Sequence, residues 1–557
     1  MCYNTLKFHF YLRGDHLQKS SIQSNTFFKG AFILTIAAIL TKVLSAFYRI
    51  PFQNIVGDIG FYIYQQVYPF YGMAMVLATT GFPVVISKLY AEQREKGEAE
   101  KSRLLLFVSF LFLQVFGVIC FLALYVGAEG IARWMNDPQL AILIRVVSIV
   151  FLTFPMVSLL RGYYQGRGDM VPTALSQVGE QTIRVLTILF LSYLFIEKGY
   201  SLYLVGGGAM FGSITGSIIS GLILFMFLLV RKEWKVIMPS RGILQSYAVE
   251  VKEIIKALIF QGLMICISGM LMIFIQLADS LNLYSLLVAD GMGPDLAKTV
   301  KGIFDRGQPL IQLGTVAATS MSLALVPLIS RTRLAAKPEE LRDKIQLVLK
   351  VSIVVGSGAA AGLWAIMEPT NTMLFENESG SSVLGVLSFV ILFTSIISTV
   401  IAVMQGMGIL VFPAFVVIAA FPVKYFLNVL LIPLCGIMGA AISSLLTLGL
   451  VVSLLFMRLR KMTNGSLLPF GFIRTVLTAT VVMVLVLKGY LYITDVAVTF
   501  LGLDRLGAAL QSLSAVTIGG LLFLYIVLRD SVFREEELAL FPLGSKLIHL
   551  LARKERS

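Results

Sequence analysis

Fourteen apolar stretches, each long enough to cross a bilayer, follow one another between Phe27 and Leu528, and they leave the chain few ways to fold. A spanning helix needs about 20 residues to cross the ~30 Å hydrocarbon layer. Inside that layer every backbone N–H and C=O must be satisfied within the segment itself, which a helix does. The expected spans are 29–50, 61–88, 104–127, 139–162, 170–196, 201–230, 252–279, 308–330, 345–367, 382–406, 410–432, 436–457, 470–492 and 506–528. The fold class is therefore an all-α integral membrane protein with 14 transmembrane helices, and little chain remains for a soluble domain. Only 14% of residues are charged, which agrees.

The net charge of +14 raises the question of a nucleic-acid partner. With the N-terminus placed in the cytosol, the cations concentrate on that side. Arg231 to Lys256 and Arg331 to Lys350 hold six each, while the outer loop after the ninth span carries only Glu368, Glu376 and Glu378. This is the positive-inside pattern, so the charge reports topology in a cell membrane and no nucleic acid is expected. Residues 1–26 read as a cytosolic arm without a signal-peptide core, and 531–557 as a cytosolic tail. Cys2, Cys120, Cys266 and Cys435 have no metal-like spacing, so neither a disulfide nor a metal site is expected.

Two distant segments share a pattern. "RGYYQGRGDMVPTA" from Arg161 and "VMQGMGILVFPA" from Val403 align on Gln165 and Gln405, and each has a lone cation nineteen residues after the Gln, Arg184 and Lys424. "VGGGAMFGSITGS" from Val205 pairs with "CGIMGAAISSLL" from Cys435, and "YPFYGMAMVLATTGFPVVISK" from Tyr68 with "QPLIQLGTVAATSMSLALVPLISR" from Gln308. Helices 1–6 and 7–12 thus form two parallel six-helix repeats, an arrangement that builds transporters rocking about a midplane site. The expected division is 27–235, 236–460, and 461–530 for the two helices outside the repeat. The Gly and Pro residues of the quoted segments fit tight turns between helices 4 and 5 and between 10 and 11.

Ionisable residues inside spans cost at least ~2.5–3.5 kcal/mol each on insertion scales, so they mark function. Lys42, Arg184 and Lys424 stand about 20 Å into their helices at ~1.5 Å per residue. Arg49, Arg145 and Arg306 lie nearer the outer face. Against these six cations stand two acids, Glu180 and Asp279. Glu180 and Arg184 are spaced to neutralise each other on one helix face, and Asp279 is the candidate ion-pair partner of Lys424. Arg49 and Arg145 have the alternative of snorkelling to outer headgroups. Positive charge remains in excess after these pairings, which points to an anionic cargo. Gln65 and Gln66, among tyrosines in helix 2, have amides suited to sugar hydroxyls. His9, His16 and His549 all lie in the terminal arms, and no His-Glu-x-x-His, phosphate loop or Asp-x-Asp is present. The chain reads as a transporter, not an enzyme, and no cofactor is expected.

The segments "KGAFILTIAAILTKVLSAFYRIPFQNIVGDIGFYIYQQVYPFYGMAMVLATTGFPVVISKLYAE" and "FDRGQPLIQLGTVAATSMSLALVPLISRTR" carry a family likeness. Over roughly residues 27–530 the chain resembles the stage V sporulation protein B and polysaccharide-flippase branch of the multidrug/oligosaccharidyl-lipid/polysaccharide exporter superfamily. MurJ-type lipid II flippases belong to the same superfamily. The resemblance implies an alternating-access flippase that carries an undecaprenyl-diphosphate-linked saccharide from the inner to the outer leaflet, with cell-wall synthesis proteins as further candidate partners. It also implies diphosphate-binding cations in the first helix and just before the eighth, which here are Lys42, Arg49 and Arg306. The depth of their charges and amides adds Arg145, Glu180, Arg184, Gln65 and Gln66 as secondary cavity candidates. Lys42 stands where the lipid II flippases usually have Arg. Some relatives hold sodium between helices 7, 11 and 12, where this chain has Asp279, Lys424 and Asn428 and an ammonium would displace the metal. Helices 13 and 14 are implied to line a groove for the lipid tail. The rival readings are a cation-coupled exporter of small drugs, and, from another class, a membrane glycosyltransferase or polymerase, or a scaffold for cell-wall assembly.

Overall fold

The computed structural model describes residues 30, 32–234, 247–316, 338–463, 467–501, 504–530, 533 and 537. The expected N-terminal arm, most of the tail after residue 530, and the part of the eighth span beyond 316 lie outside the described residues. All regular structure among the described residues is helical. The N-terminal half comprises α1 (32–47), α2 (Arg49–Val76), α3 (Phe82–Glu95), α4 (Ala99–Trp134), α5 (Ala141–Ser148), α6 (Val150–Gly166), α7 (Val171–Glu197) and α8 (Leu202–Val230). The second half comprises α9 (Ala248–Ala257), α10 (Leu263–Gly269), α11 (Leu271–Ala289), α12 (Pro294–Asp305), α13 (307–316), α14 (Pro338–Ala365), α15 (Met367–Phe375), α16 (Ser381–Ser388), α17 (Val390–Gly406), α18 (Val411–Cys435) and α19 (Ile437–Thr463). The last pair, α20 (Phe470–Leu501) and α21 (Asp504–Arg529), packs on α14 through a separate apolar cluster.

Twelve helical segments among the described residues are long and apolar enough to cross a membrane, and the first, Phe32–Glu95, contains two of the expected spans. Thirteen of the fourteen expected spans are thereby accounted for.

The repeat is visible in backbone detail. Helix 4 tightens at Ile149, between α5 and α6, where the N–H reaches back three residues to Val146, and helix 10 tightens likewise at Phe389, between α16 and α17, with its N–H on Val386, in the same register that aligns Gln165 with Gln405. The two turns that follow are built alike. Gly168 and Gly408 adopt φ of 80° and 78°, and their N–H groups bond back to the carbonyls of Gln165 and Gln405 at 2.9 and 2.8 Å. The next N–H in each reaches the carbonyl of Tyr164 or Met404, at 3.0 and 2.8 Å, completing a Schellman closure. A glycine carries no steric cost at such a φ, which accounts for the Gly-rich motif in both copies.

Where the sequence shows one uninterrupted apolar run, the structure introduces breaks. Leu77–Gly81 and Leu258–Gly262 widen into single π turns, and each packs against the neighbouring helix of the other half. The seventh helix extends past its expected end at 279 to Ala289.

Candidate anion-binding site

Arg184 sits on α7 where glycines of α8 let the two helices approach closely. A Cβ on Gly212 would stand 3.0 Å from the Arg184 carbonyl oxygen, and one on Gly216 would stand 3.0 Å from the Arg184 Cβ. The Arg184 side chain is fully buried. Its Nη2 donates to the hydroxyls of Tyr48 and Tyr64 at 2.9 and 3.0 Å, and its Nη1 to Gln181 Oε1 at 3.3 Å. The guanidinium also lies 4.0 Å from the centre of the Tyr71 ring and 5.7 Å from that of Tyr68. Cations over aromatic faces gain from the ring quadrupole, so four tyrosines from the first two helices form a cage.

Arg49, at the start of α2, enters the same cage. It is 2% exposed, and its guanidinium rests 4.3 Å from the centre of the Tyr68 ring. Tyr68 therefore lies against both arginines. Neither forms an ion pair with a carboxylate among the described residues. The acid that acts on Arg49 from nearby, Asp305, is already held by Lys301 at 2.7 Å, and burial pushes its carboxyl up to about 6. Several buried polar atoms in and around the cage have no partner among the described residues: Arg49 Nε, Arg184 Nε, Tyr71 OH, Gln181 Nε2, Gln65 Oε1 and Gln66 Oε1. Buried charges are normally paired and buried polar groups normally bonded, so this region has donors and acceptors to spare for a charged, hydroxyl-bearing guest.

The other residues that the sequence nominated fall in different places. Glu180 does not pair with Arg184 as its spacing proposed. Its Oε2 bonds Arg161 Nη2 at 2.8 Å, and Arg161, fully buried on α6, also holds Ser176, Ser220 and the Ala78 carbonyl. Helix-helix packing brought a closer guanidinium than the one a turn away. Arg145 is not gathered into the cage, since it lies on an exposed face and bonds Glu129 at 2.6 Å. Lys42 is half-buried on α1, with its carbonyl accepting from Gln312 Nε2 at 3.4 Å. Gln66 donates to the Ser280 carbonyl of the other half at 3.1 Å.

Arg306 is fully buried, but it is not free. Its Nε and Nη2 bond Asp58 at 2.7 to 2.9 Å, and its Nη1 bonds Asn377 at 2.8 Å. Asp58 sits beyond the apolar run of helix 2, where counting charges within spans could not find it. Lys424 is the repeat counterpart of Arg184 and equally buried, yet its surroundings differ. Its Nζ stands 2.8 Å from Asp279 Oδ1 and donates to Asn428, Ser443 and the Ala440 carbonyl at 2.7 to 2.8 Å. Among the described residues, one copy thus pairs its mid-helix cation with a carboxylate, and the other does not.

Comparison with known proteins gives this arrangement a context. Residues 27–333 match the family described as polysaccharide biosynthesis protein. The chain is 44% identical over 547 residues to the uncharacterized membrane protein YabM of Bacillus subtilis (strain 168), covering 96% of this chain and 98% of that one. It is 26% identical over 526 residues to the lipid II flippase MurJ of the same organism, covering 90% and 95%. Among solved structures it is similar to a lipid II flippase MurJ in an inward closed conformation, with TM-score 0.64 and 15% identity, covering 91% of this chain and 99% of that one. At that identity the likeness speaks for the fold.

Proposed function

Because the chain belongs to the polysaccharide biosynthesis protein family and is a membrane transporter rather than an enzyme, we propose that it is a flippase for an undecaprenyl-diphosphate-linked saccharide. The cargo enters from the cytosolic leaflet and leaves on the outer one by alternating access, with both termini in the cytosol. The observation that carries this reading is the pair Arg49 and Arg184, buried in one aromatic cage with no carboxylate partner among the described residues. Two guanidinium forks suit the oxygens of a diphosphate, and tyrosine faces with spare amides suit a sugar ring. Lys42 adds positive charge lower on α1, while the prenyl chain stays in the bilayer beside α20 and α21.

The test is a flipping assay. Purified protein reconstituted into vesicles with a fluorescent undecaprenyl-diphosphate-linked saccharide should move the label to the opposite leaflet. Arg49→Gln and Arg184→Gln should each slow this at least tenfold, and Lys42→Ala should abolish it while the protein still folds. Wild-type protein that moves no such lipid would overturn the proposal.

A further inference from the structure

Asp58 and Arg306 belong to different halves of the molecule, on α2 and just after α12. Backbone as well as side chains build the contact. Gly57 takes φ 69° and ψ −177° inside α2, a conformation that suits glycine and turns the chain at Asp58. Across the seam, a Cβ on Gly302 would come within 2.1 Å of the Asp58 carbonyl oxygen, so only glycine lets α12 lie this close. Lys298, Gly302 and Arg306 are spaced by four and share one helical face, and that face lies along the N-terminal half. Lys298 Nζ bonds Tyr203 OH at 2.9 Å and stands 3.9 Å from Asp137 Oδ2. The seam therefore sets acids of the first half against cations of the second.

Asp58 offers Arg306 two oxygens in a fork, with Gln53 Nε2 steadying Oδ1 at 2.9 Å. A phosphate presents the same forked oxygens with more charge. We propose that Asp58 is a stand-in for the cargo's anionic group: it occupies Arg306 in the closed seam, and an arriving diphosphate takes Arg306 from it. This rests on the flippase reading above. Because the replaced bond ties α2 to α12, binding of the anion releases the two halves from each other. A ligand shifts a conformational equilibrium only through interactions that differ between its states, and here the difference is the loss of the Asp58 bond. By the same linkage, removing the competing carboxylate must strengthen anion binding even as it uncouples that binding from movement of the halves.

The test uses full-length protein in nanodiscs with two probes, inorganic pyrophosphate and undecaprenyl diphosphate placed in the nanodisc lipid. Asp58→Asn should bind both at least tenfold more tightly than wild type. Its melting temperature, lowered because a buried guanidinium has lost its counter-charge, should rise more than that of wild type when pyrophosphate is added. The double variant Asp58→Asn/Arg306→Gln should lose both effects. Gln53→Leu, which leaves the carboxylate in place but less firmly held, gives a smaller gain in the same direction and covers the case of a poorly folding Asp58→Asn. Unchanged or weaker binding by the carboxylate-free variant, or a gain confined to free pyrophosphate, would overturn the exchange. Wild-type flipping is measured in parallel with the same purified protein reconstituted into vesicles. Its absence beside an intact gain in binding would count against the flippase reading and not against the exchange.

Discussion

Glu180 has two arginines within reach, one a turn away on its own helix and one on α6, and the structure pairs it with Arg161. Depth along the helix marked Arg184 and Lys424 as unusual because it follows from counting residues. Partner choice did not follow, because it depends on which helices pack together. Arg161 escapes a sequence reading for this reason: it opens a Gly-rich motif whose visible signal is a turn, and nothing in that signal points to Glu180. The two arginines should respond oppositely to substitution. Arg161→Gln strands Glu180 and removes bonds to Ser176 and Ser220, so a loss of about 3 kcal/mol is expected, visible as a lower melting temperature in detergent. Arg184→Gln strands no carboxylate, so its melting temperature should stay near that of wild type while flipping falls. Lys424→Met tests the contrasting copy. It leaves Asp279 buried and unpaired, for a loss of about 3–5 kcal/mol, and adding Asp279→Leu should restore most of it. A double variant no more stable than the single one would show that the pair is not the unit of stability.

At the scale of elements, the sequence exposes what repeats and conceals what bends. The turns after α6 and α17 were legible because their geometry needs glycine at one place in each copy, and Gly168 and Gly408 stand there with positive φ. Replacing either by Ala should cost about 1 kcal/mol, since a Cβ in the left-handed region crowds the following carbonyl, and Asn should cost less. A chemical melt of each variant measures the difference, and equal losses for Ala and Asn would place the cost elsewhere than in φ. The π turns at Leu77–Gly81 and Leu258–Gly262 had no such signal. An extra residue per turn inside an apolar run changes neither composition nor hydropathy, and only the opposing helix decides where it falls. The α12 face of Lys298, Gly302 and Arg306 was concealed differently. Its pattern is regular, but its partners Asp58 and Asp137 lie outside the expected spans of the other half, and periodicity cannot link them to it.

For the whole molecule, the repeat predicts two halves of one orientation but says nothing of how their charges balance, and there the copies diverge. The second copy holds Lys424 against Asp279, so that half carries its mid-membrane cation neutralised. The first copy holds Arg49 and Arg184 with no carboxylate partner among the described residues, so under the proposed flippase function its charge is balanced only while an anionic cargo is aboard. A loaded carrier therefore moves little net charge, and an empty one moves positive charge. With the cytosol negative, the field draws the empty carrier back toward the cytosol-facing state. Moving one charge across 100 mV is worth ~2.3 kcal/mol, so two arginines each crossing roughly a quarter of the field would gain about 1 kcal/mol, or about sevenfold in the return equilibrium. Multi-turnover flipping in vesicles clamped by a potassium gradient with valinomycin should speed up when the cytosolic side is negative and slow when the sign is reversed. Arg184→Gln should roughly halve the response of whatever activity remains, whereas the Lys424→Met/Asp279→Leu pair, which removes a neutral couple, should leave it unchanged. A wild-type rate indifferent to potential would mean that the two guanidiniums do not travel through the field, and the return step would need another source of direction.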